Sequence, residues 1–378
     1  MKPTVVIYRS DLLPASETFV AAQAHALRRY APWFAGLQPI PTSLLIDPCE
    51  TTLLCRRDNL SDKIRRRLFL ATGMAPQFIL NVQRRQPVLL HAHFAIDAAA
   101  ALSLQKRLRI PMVVTLHGYD ATMSDEDLRR YAAGRTYLRR KAELRSRARF
   151  FICVSDHIRR QALERGVPEE KLRTLSIGVD LAYFAPDPLR SRDLDPIVLF
   201  VGRLVEKKGC THLIRAMSQV EARHPTAKLL IVGDGPLLDP LRAQARARLR
   251  RCTFLGSQPP SVVRDLMYRA SVLAVPSIVA ANGDSEGLPI NLCEAQAVGL
   301  PIVAFDGPGV SEAVVANETA LLVSQGDEAA LAEAISCIIS NRTRAAQLAA
   351  AGRRRAEQCF SLEKQTARLE DLYTEALQ

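Results

Sequence analysis

The folds open to this chain are limited most by a pattern of short, continuously apolar runs separated by stretches of helical periodicity. TVVIY at 4–8, VLLHAHF at 88–94, PMVVTLH at 111–117 and FFICVS at 150–155 form one series. IVLFVG at 197–202, AKLLIVG at 227–233, CTFLG at 252–256, SVLAVPS at 271–277 and PIVAFD at 301–306 form a second. A strand that keeps one face in water alternates polar and apolar residues, and these runs do not alternate. They predict strands covered on both faces, as in a parallel sheet with helices on either side. Two series predict two doubly wound α/β domains, which suits a chain of 378 residues, too long for one ordinary core.

Between the series lies DLAYFAPDPLRSRDLDP at 180–196, where three prolines and mixed charge end one pattern before the next strand. The expected division is a domain at 1–180, a linker at 181–196 and a domain at 197–360. A final helical segment carries Leu362, Leu369 and Leu372 on one side. The eight cysteines include no C-x-x-C pair and no histidine at ligand spacing, which argues against a zinc site or a disulfide framework. With no signal-peptide body and no bilayer-length apolar run, the expected location is cytoplasmic.

The net charge of +12 is confined to the first half: residues 1–180 hold 29 Lys and Arg against 17 Asp and Glu, and the rest hold 22 of each. Such a half suits an anionic membrane, nucleic acid, an acidic substrate, or simply a solvated arginine-rich surface. Residues 56–70 and 135–149 interleave arginines with Leu, Phe or Tyr on helical patterns, as in a helix resting on an anionic inner-membrane surface, although solvated faces have the same composition. No nucleic-acid motif accompanies the charge.

The densest concentration of site residues is GDSEGLPINLCEAQAVGLPIVA at 283–304. Glu286-Gly287-Leu288-Pro289 reads as a loop entering a helix from about Ile290 to Val298, with Gly299 as its C-terminal cap and Pro301 beyond. A helix N-terminus presents unpaired N–H groups and about half a positive charge, which suits a phosphate. Glu286 and Glu294 flank that position, and ionised carboxylates accept hydrogen bonds from sugar hydroxyls. A phosphate between two sugars fits this pattern.

These residues resemble the E-x7-E region of glycosyltransferase family 4, retaining enzymes of GT-B fold that use nucleotide sugars. The stretch 286–302 matches almost position by position, through Ala295, Ala297, Gly299 and Pro301. Gln296 stands where the family often has Met, which is expected to matter only at the helix surface. FVGRLVEKKG at 200–209 resembles the family's donor-pyrophosphate loop, carrying that role to Arg203 and Lys208, with Lys207 as a rival one residue away. LLIVGDGP at 229–236 and DGPGVSEAV at 306–314 resemble its glycine turns; the first lacks the third glycine of a dinucleotide fingerprint. TLHGYD at 115–120 resembles its H-G-x-D loop, placing His117 and Asp120 by the transferred sugar and acceptor, and His93 also ends a strand there. SETF at 16–19, within RSDLLPASETF, resembles the S-E-T-F loop of exopolysaccharide and colanic-acid-type members, with Ser16 expected to cap the next helix and Glu17 to face the acceptor.

The resemblance implies a GT-B architecture: two Rossmann-like, doubly wound parallel-sheet domains facing a deep interdomain cleft. The helix at about 361–378 would return to the first domain. It implies a retaining hexosyltransferase that moves a sugar from a nucleoside diphosphate sugar to a glycan or lipid-linked oligosaccharide, as in cell-surface polysaccharide synthesis. His117, Glu286, Arg203 and Lys208 would be catalytic, and Arg203, Lys208, Gly287, Leu288, Ile290 and Glu294 would hold the donor. Glu17, His93 and Asp120 would lie on the acceptor side. No cofactor or metal is expected: the D-x-D patterns at 125–127 and 193–195 fall in a polar helix start and the linker. A GT-B enzyme of another reaction class, such as a nucleotide-sugar epimerase, and a non-catalytic carbohydrate-binding protein are the competing expectations.

Overall fold

In the computed structural model, residues 2–40, 46–57, 59–187 and 192–378 are described. The chain divides into two compact units, 1–178 with 362–378, and 179–361. The first is built on strands Thr4–Tyr8 (β1), Ala31–Gly36 (β2), Thr51–Leu53 (β3), Pro87–His93 (β4), Met112–Leu116 (β5), Phe150–Cys153 (β6) and Leu172–Thr174 (β7). The second is built on Ile197–Val201 (β8), Lys228–Val232 (β9), Cys252–Gly256 (β10), Val272–Val275 (β11), Ile302–Phe305 (β12) and Leu321–Val323 (β13).

All the apolar runs of the sequence become strands, and each sheet is parallel throughout. The strands not anticipated are β2, β3, β7 and β13. β2 contains Pro32, and the other three have three residues each, too few to show a period. The first sheet runs β3-β2-β1-β4-β5-β6-β7 and the second β10-β9-β8-β11-β12-β13. In each, strand order reverses once beside the first strand of the unit, between β1 and β4 and between β8 and β11. At such a reversal the crossovers leave in opposite directions, so the carboxyl ends of the two strands stay uncovered and can hold a ligand.

Each sheet is filled on both sides. In the first unit, Val5, Ile7, Phe34, Leu89, Val113 and Ile152 pack with Leu369 and Tyr373 of the helix Leu362–Leu377. The alanine-rich helix Ala95–Leu108 buries Ala98, Ala99, Ala101 and Leu102 completely. In the second unit, β8, β9, β11 and β12 pack with the helices Cys210–Arg223 and Glu328–Ser340.

Four expectations need correction. The second unit begins at Val179, so residues 181–187 and 192–196 belong to it rather than to a free linker; residues 188–191 lie outside the described residues. Phe184 is buried, Asp193 pairs with Arg269 at 2.8 Å and Asp195 with Lys228 at 2.9 Å. The buried stripe of the last helix is Gln365, Thr366, Leu369, Glu370, Tyr373 and Ala376; Leu362 and Leu372 lie at its margins. Ser16 caps nothing: a 3-10 turn, Ala15–Glu17, precedes the helix Thr18–His25, whose N-cap position is Glu17. Gln296 is interior at 1% exposure, and its amide donates to the Ala313 carbonyl at 3.1 Å.

No helix among the described residues is long and apolar enough to cross a membrane. Besides Leu369 and Tyr373, the last helix is fixed to the first unit by Glu370. This buried carboxylate accepts the backbone N–H groups of Arg28 at 2.9 Å, Arg29 at 2.6 Å and Tyr30 at 3.3 Å, just past the helix Thr18–His25. Hydrogen bonds to a charged group contribute about 1.5–3 kcal/mol each, and loss of a shared acceptor leaves its donors unsatisfied. Glu370→Ala is therefore expected to destabilise the first unit by about 3 kcal/mol, with Glu370→Gln recovering part of the loss. Equilibrium denaturation followed by the fluorescence of Trp33, in that unit, measures this.

Candidate functional site

The strand-order reversal of the second unit gathers the residues singled out in its sequence. β8 ends at Val201, and the chain passes Gly202 and Arg203 into a short 3-10 turn, Glu206–Lys208. The turn closes on Gly209 at φ +62°, where a Cβ would collide with the carbonyl oxygen of Pro276, just past β11. Only glycine lets the lysine-bearing turn seat against the neighbouring strand end. The next turn, Gly233 to Gly235, lies alongside, the Asp234 carbonyl accepting the Leu204 N–H at 2.8 Å.

The two adjacent lysines take different partners. Lys207 pairs with Asp284 at 2.8 Å, and Lys208 pairs with Glu286 at 2.6 Å. Of the two, Lys208 is the one joined to the first glutamate of the motif. Glu286 is 7% exposed, and its Oε1 receives both Lys208 Nζ and, at 2.8 Å, Ser277 Oγ. Burial alone would raise the Glu286 pKa, but the charges of Lys208 and Lys207 and the two hydrogen bonds outweigh it and hold the group below the ordinary glutamate range. The carboxylate is therefore ionised at neutral pH.

Glu286, Gly287 and Leu288 lead through Pro289 into the helix Ile290–Val298, ended by Gly299 at φ +73°. Pro289 is the N-cap residue and Ile290 the first of the helix. The approach is backed by Gly309, at φ +71°, whose absent Cβ gives room to the carbonyls of Glu286 and Gly287. Asn291 ties the helix to β8 by donating to the Val201 carbonyl at 2.9 Å, and its buried Oδ1 meets no partner among the described residues.

Glu294 lies on the second turn of this helix, half-buried, with no side-chain partner among the described residues. Burial pushes its pKa from 4.5 up to about 8. Arg203 is exposed and equally without a side-chain partner among the described residues. Lys208 and Glu286 are thus mutually satisfied, whereas Arg203 and Glu294 have their polar groups open.

In the first unit, the reversal holds a second cluster. β4 ends at His93, and Phe94 makes a sharp exit at φ +67°, a conformation rarely tolerated by a bulky side chain. Its ring lies 4.3 Å beneath the guanidinium of Arg9, which follows β1. Arg9 is buried between the carboxylates of Glu17 and Asp97, with Nε to Glu17 Oε2 at 2.7 Å. Glu17 is therefore committed to Arg9 and reaches the cluster through it.

His93 Nδ1 and His117 Nε2 lie 3.0 Å apart. Phe19, Phe94 and His93 surround the His117 ring at centroid distances of 5.1, 4.6 and 5.2 Å. Burial first holds both histidines well below the usual imidazole range, helped for His117 by the charge of Arg9 and for His93 by His91 and His117 ahead of Arg9, so both are neutral. His117 Nδ1 is buried without a partner among the described residues. Asp120 acts by bracing: its carboxylate accepts the N–H groups of Ala95, His117 and Gly118 at 2.9, 3.1 and 3.0 Å. His91, given no role, bonds Tyr373 at 2.6 Å and Thr115 at 2.7 Å and belongs to the core.

The sequence did not single out Arg9, Asp97, Ser277 or Asn291. Arg9 and Ser277 each sit within two residues of a strand's carboxyl end, and that position, on the two strands that flank a reversal, is the signal that finds them.

Comparison with known proteins is consistent with this arrangement. A model described as Glycosyltransferase Family 4 matches residues 48–183, and one described as Glycosyl transferases group 1 matches 185–355. A GDP-mannose-dependent alpha-(1-6)-phosphatidylinositol monomannoside mannosyltransferase of Mycobacterium tuberculosis is 30% identical over 75% of this chain and 76% of its own. The chain belongs to glycosyltransferase family 4. WcaL of Escherichia coli, provisionally named a colanic acid biosynthesis glycosyltransferase, is 30% identical over 65% of this chain. The match spans 60% of that relative's length. Among solved structures, HepE of Anabaena in complex with UDP-glucose superposes with a TM-score of 0.78 at 19% identity, over 98% of this chain and 99% of its own. Sucrose-phosphate synthase of Thermosynechococcus elongatus gives 0.76 at 22% identity, over 99% of both chains. Likeness at these identities establishes the GT-B fold.

The raised Glu294 pKa has a measurable consequence. Between pH 4.5 and about 8 the folded state binds a proton that the unfolded state has released. Stability must therefore fall as pH rises through that window and level off above it. Glu294→Gln is expected to flatten this slope and to raise Tm relative to the parent most at pH 8 and above. Thermal unfolding of both proteins from pH 5 to 9 checks it.

Proposed function

We propose that this protein is a retaining glycosyltransferase that moves a sugar from a nucleoside diphosphate sugar to a glycan or lipid-linked oligosaccharide, in cell-surface polysaccharide assembly. The observation that carries the reading is the second unit's set: Lys208 paired to an ionised Glu286, with Arg203 and Glu294 left open at the same strand ends. Arg203, Lys208 and the N–H groups leading into the helix Ile290–Val298 supply positive charge for a diphosphate that gains negative charge as it leaves. Glu286, whose Oε1 takes Lys208 and Ser277, is placed for sugar hydroxyls, and Glu294 for a ribose. Gly287, Leu288 and Ile290 form the backbone wall of that site.

We assign the acceptor side to the first unit. His117 offers a neutral imidazole with an open Nδ1, oriented by His93 and held in place by Asp120; Glu17 contributes through Arg9. Retention is expected through front-face attack, with the leaving phosphate taking the acceptor proton. The cations already present offset the diphosphate charge, so a metal-independent reaction is proposed. The names of the relatives support polysaccharide or lipid acceptors: one acts in colanic acid biosynthesis, another on a phosphatidylinositol monomannoside.

Calorimetry against a panel of nucleoside diphosphates and their sugars tests the donor site. One base is expected to bind. Arg203→Ala should weaken it by about tenfold to a hundredfold, the value of one charge-assisted contact of about 1.4–2.7 kcal/mol. Glu294→Ala should weaken nucleoside recognition while sparing inorganic pyrophosphate. His117→Ala should bind donor normally and fail to transfer. No binding by the parent at millimolar nucleotide would sink the transferase reading in favour of a carbohydrate-binding protein.

A further inference from the structure

Two basic helices of the first unit carry similar sequences and have different surroundings. In the helix Ala132–Arg147, the interleaved Tyr137 and Leu144 are buried. Its cations are tied down, Arg140 and Arg147 both meeting Glu143, at 3.5 and 3.2 Å, while Arg145 meets the Arg165 carbonyl. That helix is a packed element with a paired surface.

The helix Leu60–Thr72 also holds an ion pair, Arg65 with Asp62 at 3.5 Å, and differs in its apolar face. It buries only Asp62 and Phe69, while Leu60, Ile64 and Leu68 are 74%, 57% and 47% exposed. At 100° per residue these three fall within about an 80° arc, and Asp62 and Phe69 lie on the reverse side. Lys63 and Arg67 border the arc on one flank and Arg65 on the other. Arg66 is turned to Gln38 and is not part of this face. Met74, just beyond the helix, and Leu80, in the helix Pro76–Gln83, add exposed apolar side chains at 55% and 41%.

A large apolar side chain repeated every fourth residue on the outward side gains nothing from water. Solvated basic faces, the plain alternative for such a helix, have no use for the stripe. Cations on both flanks specify an anionic partner, and an apolar stripe between cations specifies one whose interior is apolar. An anionic phospholipid surface satisfies both, with side chains entering the acyl boundary and cations at the phosphates.

We propose that the helix Leu60–Thr72 is a membrane-docking surface, with Leu60, Ile64 and Leu68 inserted and Lys63, Arg65 and Arg67 on lipid phosphates. This does not rest on the transferase reading, since none of these residues belongs to the candidate site. The test is co-sedimentation of the full chain with vesicles of phosphatidylethanolamine and phosphatidylglycerol, and with phosphatidylcholine vesicles. The parent should bind the anionic vesicles, lose binding as salt rises, and ignore phosphatidylcholine. Leu60→Ser/Ile64→Ser/Leu68→Ser and Lys63→Glu/Arg65→Glu/Arg67→Glu should each weaken binding by at least about tenfold. All six positions are outside the core, and unchanged circular dichroism confirms that both variants fold. Parent-like binding by the serine variant would overturn insertion, and failure of the parent to bind anionic vesicles would overturn the proposal. Sedimentation velocity without lipid covers a second copy: a parent dimer that the serine variant turns to monomer, with no vesicle binding, would make the stripe a subunit contact instead.

Discussion

A parallel sheet buried on both faces is the constraint on which the rest of this structure depends. Its central strands leave little room for charge in their interiors, and each return to the sheet requires a helix crossing over one face. Polar chemistry is therefore pushed to the carboxyl edge, and it is least covered where the crossovers diverge. Both clusters of polar and ionised residues occupy that position. Arg9 and His93 follow or end β1 and β4, whereas Arg203 and Ser277 follow β8 and β11. The same rule, applied twice, produces two different environments because the side chains at the edge differ.

In the second unit the edge is cationic and partly open. Glu286 stays ionised despite burial because an ammonium and a hydroxyl share one of its oxygens, whereas Glu294, eight residues on, has neither and holds its proton. Two glutamates of one motif thus differ in protonation at neutral pH for a local reason. A bound diol or a nearby cation would lower the Glu294 pKa again, since either favours the ionised form. A ligand bound at that position would then release a proton. In the first unit the edge is neutral and tightly packed. Arg9 is surrounded by two carboxylates and an aromatic ring, and burial, aided by its charge at His117, keeps the histidines uncharged.

Much of this was legible in the residues. Strands with several successive apolar residues announced themselves, as did Pro289 and Gly299 around the helix Ile290–Val298, because backbone chemistry at helix ends is local. The three-residue strands were invisible, since pairing with a neighbour rather than composition makes them strands. Ser16 satisfies the composition rule for a cap and fails it because a 3-10 turn places Glu17 at that position. Gln296 was misplaced for a related reason: helical periodicity cannot see that Ala313 and Gly352 close over that face. Pairings across long separations, Lys208 with Glu286 and Arg9 with Asp97, follow from topology and not from spacing.

The second unit is inserted into the first, and its two ends meet: the Val179 N–H donates to the Phe360 carbonyl at 2.7 Å. The helix that follows, Leu362–Leu377, supplies Tyr373 and Glu370 to the interior of the first unit. In the order of synthesis, these residues leave the ribosome after the whole of the second unit. The second unit can complete its core from a continuous stretch of nascent chain. The first must wait, with His91 and the backbone of residues 28–30 lacking their partners, until the helix beyond the second unit has been made. The domain begun first is the one finished last.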